Sequence, residues 1–121
     1  MKAIYDHRPK AIEAVGNGSY LYRRNIERND EREREEFRCE EVAVWGPLDS
    51  DKILEIVIAD VCPLSREQKL INEFNSLALG VIPDERGNEI KTAYKEFLEL
   101  RLRLKNEVEA AWAEYEKEES L

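Results

Sequence analysis

The clearest pattern in the chain is the spacing of apolar residues between Asn88 and Glu118. Ile90, Ala93, Tyr94, Phe97, Leu100, Leu104, Val108, Ala111, Trp112 and Tyr115 recur every three or four positions, as one face of a helix requires. No Pro or Gly interrupts the run, and the intervening positions are mostly Glu, Lys and Arg, which favour helix and suit a solvated face. The pattern predicts one long amphipathic helix over residues 88–118.

Ile90, Phe97, Leu104 and Ala111 stand seven residues apart, but their companions drift from Ala93 and Leu100 to Val108 and Tyr115. A sustained coiled-coil seam needs fixed companions, whereas a straight helix of about 3.6 residues per turn drifts in this way when it packs on its own domain. The stripe is therefore expected to be mainly intramolecular, in a monomer or weak dimer. Leu98 and Leu102 fall off the stripe as an i,i+4 pair and are candidate partner contacts. Trp112 and Tyr115 join them, because past Ala110 the domain is expected to run out of cover unless the β unit or a second copy supplies it. Arg101 falls near the stripe, where its stem can lie on apolar surface while the guanidinium reaches water or a Glu.

Alternation with a period of two marks the amino-terminal part. From Ser19 to Arg28, Tyr20, Tyr22, Arg24 and Ile26 share one face, and Leu21, Arg23, Asn25 and Glu27 the other, a strand with an aromatic side and a largely polar reverse. Phe37–Trp45 resumes strand composition, and the charged stretch from Asn29 to Glu36 between them predicts a solvated hairpin tip. Gly16-Asn17-Gly18 predicts a tight turn that joins Ala11–Val15 to this hairpin as a third antiparallel strand. Met1–Lys10 has no period and is expected as an extended arm.

Gly46-Pro47 ends the strands, and Asp49 or Ser50 can cap a helix running to Val61, although the β-branched residues in Ile53–Val61 also permit a strand. Ser65-Arg66-Glu67-Gln68 has the spacing of a capping box, predicting a helix that buries Leu70, Ile71, Phe74, Leu77 and Ala78 and closes at Gly80. The expected fold class is α+β in a single domain of residues 1–121. It has an arm (1–10), a β-hairpin or three-stranded meander (11–46), two short helices (49–79) and the long helix (88–118).

Charge alters the picture of partners. Residues 1–28 carry six basic and three acidic side chains, a balance of +3, and the rest carry 13 basic and 24 acidic, a balance of −11. An acidic body weakens attraction to phosphate, so nucleic acid could be met only through the amino-terminal section, with Tyr20 and Tyr22 stacking on bases and Arg23, Arg24 and Arg28 taking phosphates. The reading preferred over this platform has the tyrosines packing on the helices and the arginines pairing with the Glu-rich loop of residues 29–36. Charged residues make up 38% of the chain, against about a quarter on average, which suits a thin, extended shape better than a compact enzyme.

Few residues suggest reaction chemistry. His7 is the single histidine, and Cys39 and Cys62 lack metal or redox spacing, so no metal, cofactor or catalytic residue is expected. Gly16-Asn17-Gly18 lacks the third glycine and the following helix of a dinucleotide loop, and Asp49-Ser50-Asp51 has Leu54 where a calcium loop needs Gly. No signal peptide or membrane span is read, and the expected setting is the cytoplasm.

Four stretches are similar to small proteins encoded in prophage-like regions of gut bacteria. They are Lys2-Ala3-Ile4-Tyr5-Asp6-His7-Arg8-Pro9-Lys10, Gly18-Ser19-Tyr20-Leu21-Tyr22-Arg23, Glu67-Gln68-Lys69-Leu70-Ile71-Asn72-Glu73 and Tyr94-Lys95-Glu96-Phe97-Leu98. The resemblance implies a bacterial host, an accessory or assembly role in phage particles, and protein contacts made by the β unit and the carboxy-terminal helix. It brings no activity and no site residues. The expected function is thus a non-enzymatic protein–protein interaction or assembly module, with a small nucleic-acid-binding regulator as the alternative.

Overall fold

Two alternating stretches pair first: β3 (Ser19–Arg28) and β4 (Phe37–Trp45) form an antiparallel hairpin whose tip is the charged loop Asn29–Glu36. The computed structural model describes residues 1–120. Gly16 and Gly18 take positive φ in the turn before β3, a conformation open to glycine, and β2 (Ile12–Ala14) folds back onto β3. The expected arm is extended but not free. Lys2–Tyr5 forms β1, antiparallel to β4, with Lys2 opposite Glu40 and Tyr5 opposite Phe37.

The sheet order is β1-β4-β3-β2, so β1 and β2, neighbours in sequence, occupy opposite edges. The six residues Asp6–Ala11 must therefore cross one face of the sheet. Helices cover the other face. α1 (Ser50–Val61) begins at Asp49, whose Oδ1 accepts from the Lys52 amide at 2.8 Å, so Ile53–Val61 is helix.

The expected capping box at Ser65 does not form. α2 (Leu64–Ala78) starts directly after Pro63, whose carbonyl accepts from the Arg66 and Glu67 amides, and no side chain caps it. Starting there puts Ser65 inside the first turn, past the N-cap position from which its hydroxyl and Gln68 would have reciprocated. Gly80, at φ 74°, closes α2 as expected, its amide donating to the Leu77 carbonyl. A 3-10 turn at Asp84–Arg86 leads into α3 (Gly87–Glu119), a helix of 33 residues.

The fold is α+β, with four antiparallel strands followed by two short helices and one long one. Its core lies between the sheet and two helices, where Ile12, Tyr22 and Val44 meet Ile53, Val57 and Ile58 of α1 and Leu104 and Val108 of α3. Each such aliphatic side chain contributes roughly 1.5–3 kcal/mol by leaving water.

The length of α3 explains α2. At about 1.5 Å per residue α3 is roughly 50 Å long, while a ten-residue strand spans roughly 33 Å. The helix overhangs the sheet. Its overhanging amino-terminal half packs against antiparallel α2, where Phe74 meets Tyr94 with ring centroids 4.7 Å apart and Leu77 approaches Gly87.

Candidate interaction surface

The nine candidate contact residues lie in three separate places. Leu98 and Leu102 project from α3 with 46% and 59% of their surface exposed. Trp112 and Tyr115 do not: both are half-buried against the core, their rings 5.6 Å apart, because the sheet extends far enough beneath α3 to cover them. The Tyr115 hydroxyl titrates higher than usual through burial, and then through Glu119 and the neighbouring Tyr20.

The five residues of the nucleic-acid platform are divided between the faces of the sheet. Tyr22 is buried against the helices, Tyr20 lies half-buried in the neighbouring row with Val44, and Arg24 pairs with Glu40 on that side. Arg23 points the other way and is 3% exposed. Arg28, opposite Phe37, is exposed at the end of β3. Alternation breaks between Arg24 and Glu27, where β3 carries an extra residue relative to β4, and Asn25 takes φ 52° there.

Arg23 is the centre of a polar cluster on the face that the Asp6–Ala11 crossing covers. Its Nη2 donates to Glu13 Oε1 at 2.9 Å, its Nε to the Tyr5 hydroxyl at 3.1 Å and to Glu41 Oε2 at 3.3 Å, and its Nη1 to the Lys10 carbonyl at 3.0 Å. The guanidinium also stands 4.5 Å from the centre of the Tyr5 ring. Tyr5 in turn donates to Glu41 Oε2 at 2.7 Å, and burial is the main cause that raises its pKa.

One side chain thus ties β1, β2, β4 and the crossing segment to β3. Burial opposes the charge of Arg23, but bonds to Glu13 and Tyr5 more than offset it, and its pKa is raised. Both formal charges of the Arg23–Glu41 pair are largely withdrawn from water, so the pair is weak evidence of net stability, and the bond from Arg23 to the Lys10 carbonyl is what holds the crossing segment. Arg8 stacks beside this cluster, its guanidinium carbon 5.9 Å from the centre of the Phe37 ring.

The largest concavity, about 930 Å³, is an open trough between Ile4–Asp6 and the hairpin tip Glu31–Glu36, lined mainly by solvated charges. A second, about 600 Å³, lies at the uncovered end of the sheet among Lys2, Ile4, Asn25, Arg38 and Glu40. Neither brings together a nucleophile and a base. Among the described residues, no three His, Cys, Asp or Glu side chains converge as a metal cage. Among the described residues, no helix is long and apolar enough to cross a membrane.

The exposed apolar residues that sequence reasoning did not select include Leu64 (64%), Leu79 (80%), Val81 (74%) and Trp45 (59%). Leu64 starts α2, while Leu79 and Val81 flank Gly80 at the tip of the helical hairpin. A signal for Leu64 was present: it directly follows Pro63 and stands seven residues before Ile71. No protein-family model, curated protein or solved structure matches the chain.

Proposed function

We propose that the chain is a non-enzymatic protein–protein interaction or assembly module, of the kind an accessory protein of a phage particle would use. The observation that supports this reading is the helical hairpin of α2 and the first half of α3. It projects past the sheet and holds Leu98 and Leu102 in water one turn apart. Exposed leucines at this spacing on a rigid element are what a partner helix or apolar groove engages.

Burial of Arg23 in its cluster of carboxylates argues against the alternative of a nucleic-acid regulator. A phosphate would have to displace Glu13 and Glu41 from it. In cells, a photo-cross-linking phenylalanine analogue replacing Leu102 is expected to give protein adducts, and the same analogue replacing Glu55 on the outer side of α1 is expected to give none. Absence of adducts at position 102 would remove the support for this reading. So would salt-sensitive oligonucleotide binding that is lost with Arg24→Ala and Arg28→Ala.

A further inference from the structure

We infer that the partner of the α2–α3 hairpin is a second copy of this chain, an inference that rests on the interaction reading and identifies the occupant of its surface. Two hairpins pack face to face into a four-helix bundle while the two sheets stand apart at its ends. The geometry of one face leads to this arrangement. Glu67 meets Arg101, Phe74 meets Tyr94 and Leu77 meets Gly87, so the two helices run antiparallel in this register.

Turning each helix about 100° per residue from those contacts brings Leu98 and Leu102 of α3 to the same open side as Leu64 and Ile71 of α2. In antiparallel neighbours the same sense of rotation leads to the same face. The α2 part of this side is completed by uncharged Gln68 and Asn75, and the α3 part by exposed Lys91, which falls between Leu98 and Leu102 in the same rotation. Leu64, Leu98 and Leu102 are exposed and Ile71 is only half-buried. Two helices alone cannot enclose an apolar stripe, and two such pairs can.

Surface area supports a partner of this size. The chain exposes 8747 Å². A compact monomer of 121 residues exposes roughly 6,800 Å², so roughly 2,000 Å² is in excess. A stable interface removes about 800 Å² from each partner, which is less than this excess.

Charge permits a second copy at this surface. The chain carries −8, yet residues 64–102 hold six basic and seven acidic side chains, a balance of −1. The remaining −7 lies elsewhere, so two hairpins can meet without the repulsion that opposes contact between the acidic bodies. At the border of the face, Lys95 is paired with Glu99 on its own helix at 3.8 Å. Trp45 and Val15 form an exposed apolar spot away from the hairpin, on the outer face of the sheet beside half-exposed Glu13, and serve as a control surface.

Sedimentation equilibrium of the purified protein from about 1 to 300 µM is expected to show reversible dimerisation with a micromolar dissociation constant. Leu98→Glu with Leu102→Glu should raise that constant at least ~10-fold, because each places a carboxylate in the apolar contact. Helix content and melting temperature measured on the monomer should not change, since both side chains are solvated there. Trp45→Ala should leave the constant unchanged.

A native protein that stays monomeric throughout overturns the inference, as does a dimer indifferent to the two glutamates or broken by Trp45→Ala. A monomer whose adducts at position 102 contain other proteins would overturn the second copy while leaving the interaction reading intact. A monomer without adducts would remove both.

Discussion

The two halves of α3 obey the same sequence rule and meet different surroundings. The carboxy-terminal half, with Leu104 and Val108, sits on a sheet and beside α1, and both side chains are at most 2% exposed. The amino-terminal half buries Ile90 and Phe97 as well, at 2% and 6% exposed, but its main partner is α2. Of the five α2 residues expected to be buried only Leu77 is; Leu70, Ile71 and Phe74 are half-buried and Ala78 is exposed, because a single helix backs them. A period of 3.6 reports which side of a helix is apolar, not how many layers cover it. The difference makes one half part of the core and the other a platform.

The largest effect expected from this contrast is in stability. Leu104→Ala should lower the free energy of unfolding by about 3–4 kcal/mol, since its neighbours come from the sheet as well as the helices and can relax little into the cavity. Leu77→Ala, at the thinner two-helix contact, should cost about 2 kcal/mol, the low end for this substitution. Amide exchange should show the same boundary. Amides of residues 104–112 should open only with global unfolding, and those of residues 88–97 through local separation of α2 at lower free energy. Equal protection along α3 would remove the distinction.

Alkaline pH should weaken the carboxy-terminal seat next. Burial, reinforced by the negative charge of Glu107 and opposed by Arg24, pushes the Tyr22 hydroxyl from its ordinary 10.0 up to about 12. The folded state thus resists forming the tyrosinate that the unfolded chain forms readily. Its contribution is complete below pH 10 and is lost as pH rises toward 12, a loss of about 3 kcal/mol. Urea midpoints recorded across that interval should fall steeply for the native protein and clearly less for Tyr22→Phe. Parallel curves would mean that Tyr22 is not sealed beneath α3. Tyr5 and Cys39 are also shifted upward, so some alkaline loss should persist in the variant.

How much of this was legible in the sequence depended on range. The helix α3 and the β3–β4 hairpin were visible because each is specified by many residues of one period. β1 was not, because Lys2–Tyr5 is too short to carry a period and is extended chiefly by its pairing with Phe37–Glu40, more than thirty residues away. The Arg23 cluster was hidden for a related reason: its acceptors at Glu13 and Glu41 become neighbours only once the register of three strands is set, and the glutamates of the hairpin tip looked closer in sequence. Leu98 and Leu102 were legible as departures from the apolar stripe. The covering of Trp112 and Tyr115 was not, since it depends on how far the sheet reaches under the helix.

The smallest expected effect separates the starts of the two short helices, one in the body and one in the projection. Asp49 accepts from the Lys52 amide and so satisfies one of the donors left free at the start of α1. Asp49→Ala should cost about 1 kcal/mol, and Asp49→Ser much less. Ser65→Ala should cost almost nothing, within about 0.5 kcal/mol, although the sequence around it has the spacing of a stronger cap. The reason is positional. Pro63 takes the N-cap position and its carbonyl accepts from the Arg66 and Glu67 amides, so Ser65 enters the helix as its second residue and makes no cap. Chemical denaturation of the three variants distinguishes the cases at this resolution if the slopes stay constant. A loss near 1 kcal/mol for Ser65→Ala would mean that α2 starts later than Leu64 and that its cap does form, which would also shorten the apolar face presented by the hairpin.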